Sequence, residues 1–271
     1  MLWQRVLTAL VIGPLILWAL FGASPLVFQY IVGAVVLIGA WEWSGLSKLT
    51  PIFLRIIYVL LTLAIIIICQ YLSFSALYII YWGVIAWFLA IIVLYRFSQN
   101  KKVLFNLQLS QLLMGLMVLI PFAVSLFYLN TTVHHDSNIL LLLLIIASFD
   151  TGAYFVGKRF GKHKLAPSIS PGKSIEGVIG GVIFSLIVVA IFSIVMQYSW
   201  QKTLVLLIIG MFTALISIVG DLFESAIKRH AGVKDSGKIL PGHGGILDRI
   251  DSYTAGAPFF ALALFLSQGF Y

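Results

Sequence analysis

The sequence predicts an all-α, polytopic membrane protein, on three observations. Hydrophobic side chains make up 61% of the 271 residues and charged ones only 10%, a balance too apolar for a soluble domain. The apolar residues come in runs of about 16 to 22, the length a helix needs to cross about 30 Å of hydrocarbon. The basic residues lie between those runs and form no single polar face. Despite a formal net charge of +8, nucleic acid is therefore not the expected partner, and anionic headgroups or phosphates are.

Hydropathy and helix breakers place about nine spans, near 6–22, 25–41, 52–70, 74–95, 109–129, 138–157, 176–197, 203–223 and 246–270. Inside a bilayer each segment must satisfy its own backbone hydrogen bonds, and no alternating barrel pattern is present, so the spans are helical. Arg5 ahead of the first run, with Gly22, Ala23 and Ser24 behind it, has the outline of a cleavable signal peptide. The short turn from Gly22 to Pro25 into the next run favours an uncleaved span in a helical hairpin. Pro14, Pro121 and Pro258 fall inside spans and read as kinks. Cys69 is the only cysteine, which excludes an intrachain disulfide and a cysteine-based metal site. No repeat or linker divides the chain, so residues 1–271 are expected to form a single integral membrane domain.

The loop charges support this count. With the N-terminus on one side, that side receives Arg5, Lys48, Arg55, Arg96, Lys101, Lys102, Lys158, Arg159, Lys162, Lys164, Lys173, Lys228, Arg229, Lys234, Lys238 and Arg249, and only Lys202 falls opposite. The positive-inside bias makes the first side the cytoplasm. Of the acidic residues, only Asp136 belongs clearly to the other side. The positive-inside rule does not govern carboxylates, so their asymmetry calls for a functional cause.

Two segments on the basic side, 150–177 and 221–252, are the most polar. From Asp221 the sequence reads DLFESAIKRH, putting Asp221, Glu224, Ser225 and Lys228 on one helical face. Glu224 and Lys228 are also spaced for an ordinary i,i+4 ion pair. Asp221 ends an apolar run, where a charge calls for a metal, a cation or a water-filled cavity. The stretch KDSGKILPGHGGILDRIDS follows from Lys234. Its Pro241, Gly242, Gly244 and Gly245 make a tight loop before a helix, the kind that brings backbone N–H groups and a helix N-terminus close to phosphate. Asp248 and Asp251 then share one face of the opening helix. Carboxylates among Lys and Arg suit Mg²⁺ carrying a polyphosphate, while favourable interaction with the helix dipole is the plainer role for an acid at that position. His243 matches no zinc spacing and reads as a phosphate contact or a loop-packing residue; His134 and His135 read as solvated loop residues.

The earlier segment, DTGAYFVGKRFGKHKLAPSISPGKSIEG, adds Asp150 near a helix end and a glycine-loosened basic stretch from Lys158 to Lys173. A juxtamembrane basic patch on anionic lipid accounts for Lys162 and Lys164. Lys173 sits between a Pro-Gly turn and Ser174, a better-defined setting for binding substrate.

The segment SAIKRHAGVKDSGKILPGHGGILDRID, Ser225 to Asp251, resembles the signature of the phosphatidate cytidylyltransferase (CDP-diacylglycerol synthase) family, and DTGAYFVGKRFG and SPGKSIEG resemble further family segments, with Ser174 where Thr is common. The resemblance implies attack of a phosphatidate oxygen on the α-phosphorus of CTP, giving CDP-diacylglycerol and pyrophosphate. It makes Ser225, Lys228, Arg229, Asp248 and Asp251 the catalytic group, and Asp221, Asp248 and Asp251 the ligands of Mg²⁺ or another divalent cation. Substrate binding falls to Asp150, Lys173, Ser174, Lys234, Asp235, His243, Gly244, Gly245 and Arg249. The implied setting is the bacterial cytoplasmic membrane, with the site on the cytoplasmic face, membrane lipids as surroundings and a homodimer compatible with the reading. Two other classes use similar parts: a CTP-dependent polyprenol kinase, and a transporter of anionic solutes, whose binding groups would instead lie near the midplane.

Overall fold

A computed structural model describes residues 2–71, 76–99, 107–240, 242 and 244–268, with side chains from residue 10 onward. The described residues form nine helices: α1 (Leu2–Phe21), α2 (Pro25–Leu46), α3 (Ile52–Tyr71), α4 (Ala76–Ser98), α5 (Gln108–Asn130), α6 (His135–Phe160), α7 (Ile175–Val195), α8 (Trp200–Ala231) and α9 (Leu247–Ser267). Eight of them, α2 to α9, are long and apolar enough to cross a membrane. The chain is an integral membrane protein of helical class, as its hydropathy predicts. Pro241, His243, Lys101, Lys102 and Tyr271 lie outside the described residues.

Helix starts follow local chemistry. Ser24 caps α2, its hydroxyl accepting from the N–H of Val27 with Pro25 at the first turn; Ser174 caps α7 through Gly177; and Ser199 caps α8 through Lys202. Gly232, at φ 81°, ends α8 in the left-handed conformation that glycine adopts without steric cost. At α9 the cap residue is Ile246, whose apolar side chain makes no capping hydrogen bond.

The 32 residues of α8 give a helix about 48 Å long, well beyond about 30 Å of hydrocarbon. About a third of it is therefore in excess of that thickness, and its last third carries the polar stretch Asp221 to Ala231. α5 and α9 are the most buried spans, whereas α3 and α4 turn Phe53, Leu60, Trp82 and Phe88 outward, as lipid-facing helices do. Since lipid is as apolar as these side chains, helix association here rests on close packing and interhelical hydrogen bonds. The Trp43 indole donates to the Gln111 carbonyl at 2.8 Å, the Trp87 indole to Thr254 at 3.0 Å, and the Tyr58 hydroxyl to Leu112 at 2.9 Å. α8 and α9 pack closely at Gly220, where any Cβ would collide with the Asp251 carbonyl.

The 161–174 stretch, read from sequence as a glycine-loosened basic loop, contains an antiparallel hairpin, β1 (Lys164–Ala166) and β2 (Ser170–Ser174), with Lys164 opposite Ser174 and Ala166 opposite Ser170. Glu176, in the first turn of α7, anchors its entry. The carboxylate accepts the N–H groups of Lys162 and His163 at 3.1 and 3.2 Å and meets His163 Nδ1 at 2.6 Å.

Candidate active site

α6, α7, α8, α9 and the hairpin bring the polar residues of both loops to one end of the bundle. A cavity of about 550 Å³ opens between α6, β2, α7 and α8. Asp150, Lys158, Lys173, Ser174 and Asp221 give it a polar wall, and Phe149, Tyr154, Val178 and Ile218 an apolar one. Lys173 pairs with Asp221 there, and the Ser225 hydroxyl donates to the other Asp221 oxygen at 3.3 Å. Asp150 lies within electrostatic reach of Asp221, Lys173 and Arg249. Asp150 and Lys173, from the earlier of the two polar segments, thus share one cavity with Asp221.

A second cluster lies behind the first. Lys228 Nζ donates to Asp248 Oδ1 at 2.6 Å and to Glu224 Oε2 at 3.2 Å, so the i,i+4 ion pair is present and Asp248 extends it. The other Asp248 oxygen accepts from the Gly245 N–H at 2.8 Å and the Ser236 N–H at 2.9 Å, with the Ser236 hydroxyl 3.1 Å away. Asp251 stands between the clusters, near both Asp221 and Glu224, on the helix that crosses α8 closely at Gly220.

This geometry redirects part of the sequence reading. The N–H groups expected to meet phosphate are already engaged: Gly245 donates to Asp248, and Ile246 and Leu247 at the start of α9 donate to Glu42 of α2, at 3.0 and 2.9 Å. The anion at this helix N-terminus belongs to the protein itself. Ser174 spends its hydroxyl on capping α7, although the side chain still lines the cavity. Arg229 donates through Nε to the Ile169 carbonyl at 3.3 Å, tying the end of α8 to the hairpin turn. Lys234, Asp235 and Arg249 are exposed. Gly244, at φ 82°, closes the loop, its carbonyl accepting the Leu240 N–H at 2.9 Å. His243 lies outside the described residues.

Glu42 is the residue that sequence reasoning missed. A lone carboxylate abutting an apolar run was the available signal, and the predicted second span stops one position short of it.

Among the described residues no three acidic, histidine or cysteine side chains converge as a ready-made metal site. The donor chemistry nevertheless fits a hard cation. Glu224 and Asp248 pair with the ammonium of Lys228, Asp251 lies within its electrostatic reach, and Glu224 and Asp251 also face each other. Asp221 and Asp150 open into the adjoining cavity. Mg²⁺ takes one or two carboxylates and completes its shell with substrate oxygens and water, which matches carboxylates that do not close a cage by themselves.

Comparison with known proteins decides the family. The profile of the cytidylyltransferase family matches residues 3–267. This chain belongs to the cytidylyltransferase family. A family member from Haemophilus influenzae, a phosphatidate cytidylyltransferase, is 37% identical over 98% of this chain and 99% of its own length. The phosphatidate cytidylyltransferase of Pseudomonas aeruginosa is 38% identical over 97% of each chain. That of Bacillus subtilis reaches 53% identity over 124 residues, 45% of this chain and 46% of its own.

Proposed function

We propose that this cytidylyltransferase joins CMP from CTP to phosphatidate, releasing pyrophosphate and forming CDP-diacylglycerol, at the cytoplasmic face of a bacterial cytoplasmic membrane. The observation that carries the reading is the cavity at the helix ends, with ionic groups on one wall and apolar groups on the other. A lipid phosphate and a water-soluble nucleotide can meet there while the acyl chains stay among the helices. End-to-end similarity to two phosphatidate cytidylyltransferases supports the same choice of substrates. The clustering of ionisable groups at one end, away from the midplane, speaks against a transporter.

In the transfer a phosphatidate oxygen forms a bond to the α-phosphorus of CTP, the bond from that phosphorus to the α,β-bridging oxygen breaks, and pyrophosphate leaves with the bonding electrons. Positioning and charge neutralisation are the main requirements. Lys173 at the cavity, with Arg249, Arg229 and Lys234, would hold phosphate oxygens, while Ser225 orients Asp221. Asp221 and Asp251 would hold Mg²⁺, and Asp248 would join them only by releasing Lys228 from Oδ1, since its Oδ2 is committed to the loop. When bound, the ion supplies charge neutralisation on the polyphosphate. A homodimer is compatible with this arrangement.

The test is incubation of purified protein in detergent with CTP labelled in its cytidine, Mg²⁺ and phosphatidic acid. Label transferred to lipid with release of pyrophosphate is expected. Transfer of the γ-phosphoryl group alone to a lipid alcohol would instead identify a kinase, and no lipid-dependent product would overturn the reading.

A further inference from the structure

Glu42 lies 3% exposed near the end of α2, where an unpaired carboxylate would be costly. No cationic side chain meets it among the described ion pairs. Its partners are three donors from a segment about 200 residues later: the Ile246 N–H at 3.0 Å and the Leu247 N–H at 2.9 Å, both at the uncapped start of α9, and the Ser236 hydroxyl at 3.0 Å. Charge-assisted hydrogen bonds and the positive end of a helix compensate the buried anion. The loop is built around this carboxylate, since a Cβ at either Gly237 or Gly245 would collide with it. α2 itself is held in place, because Trp43, the next residue, donates its indole N–H to Gln111 of α5.

From Glu42 the contacts run into the site. The Ser236 hydroxyl lies between Glu42 Oε2 and Asp248 Oδ2, and the Ser236 and Gly245 N–H groups fix that Asp248 oxygen. Asp248 is thereby turned so that its remaining oxygen faces Lys228. We propose that Glu42 is a positioning residue for nucleotidyl transfer: as the intramolecular anion at the N-terminus of α9, it sets the 236–247 loop and, through Ser236, the aim of Asp248. The proposal deepens the cytidylyltransferase reading and rests on it for the chemistry affected, while the loop geometry can be tested without turnover.

The experiment compares the full-length protein with Glu42→Gln, Glu42→Asp and Ser236→Ala in detergent, reading steady-state kinetics, thermal stability and hydrogen exchange of the 236–247 amides. Glu42→Gln should fold, lose roughly ten- to a hundredfold in kcat through misplacement of about an ångström, and change KM for CTP by less than about threefold. Its Ile246 and Leu247 amides should exchange faster. Glu42→Asp, which keeps the charge, should recover part of kcat. Ser236→Ala, which leaves the buried charge in place, should lower kcat less, and the Glu42→Gln/Ser236→Ala double variant should be no slower than Glu42→Gln, as for groups acting in one chain. Wild-type kcat per folded molecule in Glu42→Gln, or unchanged exchange at Ile246 and Leu247, overturns the proposal. If Glu42→Gln does not fold, additive rather than saturating effects of Ser236→Ala and Glu42→Asp do so. A wild-type protein that makes no CDP-diacylglycerol overturns the functional reading and leaves the exchange result to judge Glu42.

Discussion

The Lys173 ammonium of β2 meets the Asp221 carboxylate of α8, so the hairpin is fastened to the helix face that carries the site. A basic residue serving only as a patch on anionic lipid would have no such partner. Lys173→Ala is expected to lower kcat/KM for CTP by roughly a hundredfold, the effect of removing one well-placed electrostatic group. Lys162→Ala, on an exposed position, should change it little. CTP titrations in detergent at low and high salt separate the two roles, because a lipid patch is screened by salt and an enclosed contact much less so.

Asp221→Asn keeps the shape of the side chain and removes the charge with which it would hold a hard cation. Turnover should collapse while expression and thermal stability persist, and the Mg²⁺ concentration giving half-maximal residual activity should rise. Unchanged Mg²⁺ dependence with substantial activity would show that Asp221 holds no metal.

Asp248→Asn should be costly twice. Its amide cannot accept all the bonds that Gly245, Ser236 and Lys228 now give, so both activity and stability should fall, the latter by about 1–3 kcal/mol. A favourable contact with the helix dipole alone would be worth only about 0.3–1 kcal/mol and would leave turnover near normal. Thermal unfolding in detergent measured beside activity distinguishes these outcomes.

Lys228→Met leaves Glu224 and Asp248 without their shared ammonium. Breaking a buried pair from one side costs about 3–5 kcal/mol, so low yield and a lowered Tm are expected. Adding Glu224→Gln should recover part of the stability, since two charges then leave together. A double variant no more stable than Lys228→Met would mean that Glu224 contributes nothing to that balance.

Membrane orientation can be tested with introduced cysteines once Cys69 is replaced. A cysteine at Lys162 should resist an impermeant reagent applied outside intact cells, and one at His134 should react. The reverse pattern would move the site, and its access to CTP, to the other face.

Much of this architecture is legible in the chain. Span positions follow from hydropathy, and the stripe from Asp221 to Lys228 follows from helical spacing, because both signals are local. The hairpin is not legible in the same way. Its strands are three and five residues long, too short for an alternation pattern, and its entry is anchored by Glu176, a contact that reads in sequence only as an acid opening a helix. Glu42 is the clearer case. How α2 is held depends on Trp43 bonding to Gln111 of α5, and what Glu42 does depends on amides 204 and 205 positions away. Neither relationship leaves a mark within any short window of residues. The hydrogen bonding that diverts the Gly245, Ile246 and Leu247 amides from phosphate is invisible for the same reason.

The length of α8 carries a further consequence. Trp200 opens the helix with its ring exposed and Ser199 capping it, and the 21 steps from there to Asp221 span about 32 Å, close to the thickness of a bilayer's apolar layer. An aromatic residue at such a boundary favours the membrane interface, so the depth of Asp221 would be measured from the opposite side of the membrane. Bilayer thickness then becomes an input to catalysis: in vesicles of graded acyl-chain length, turnover should peak where that rod fits and decline on both sides, whatever the headgroup.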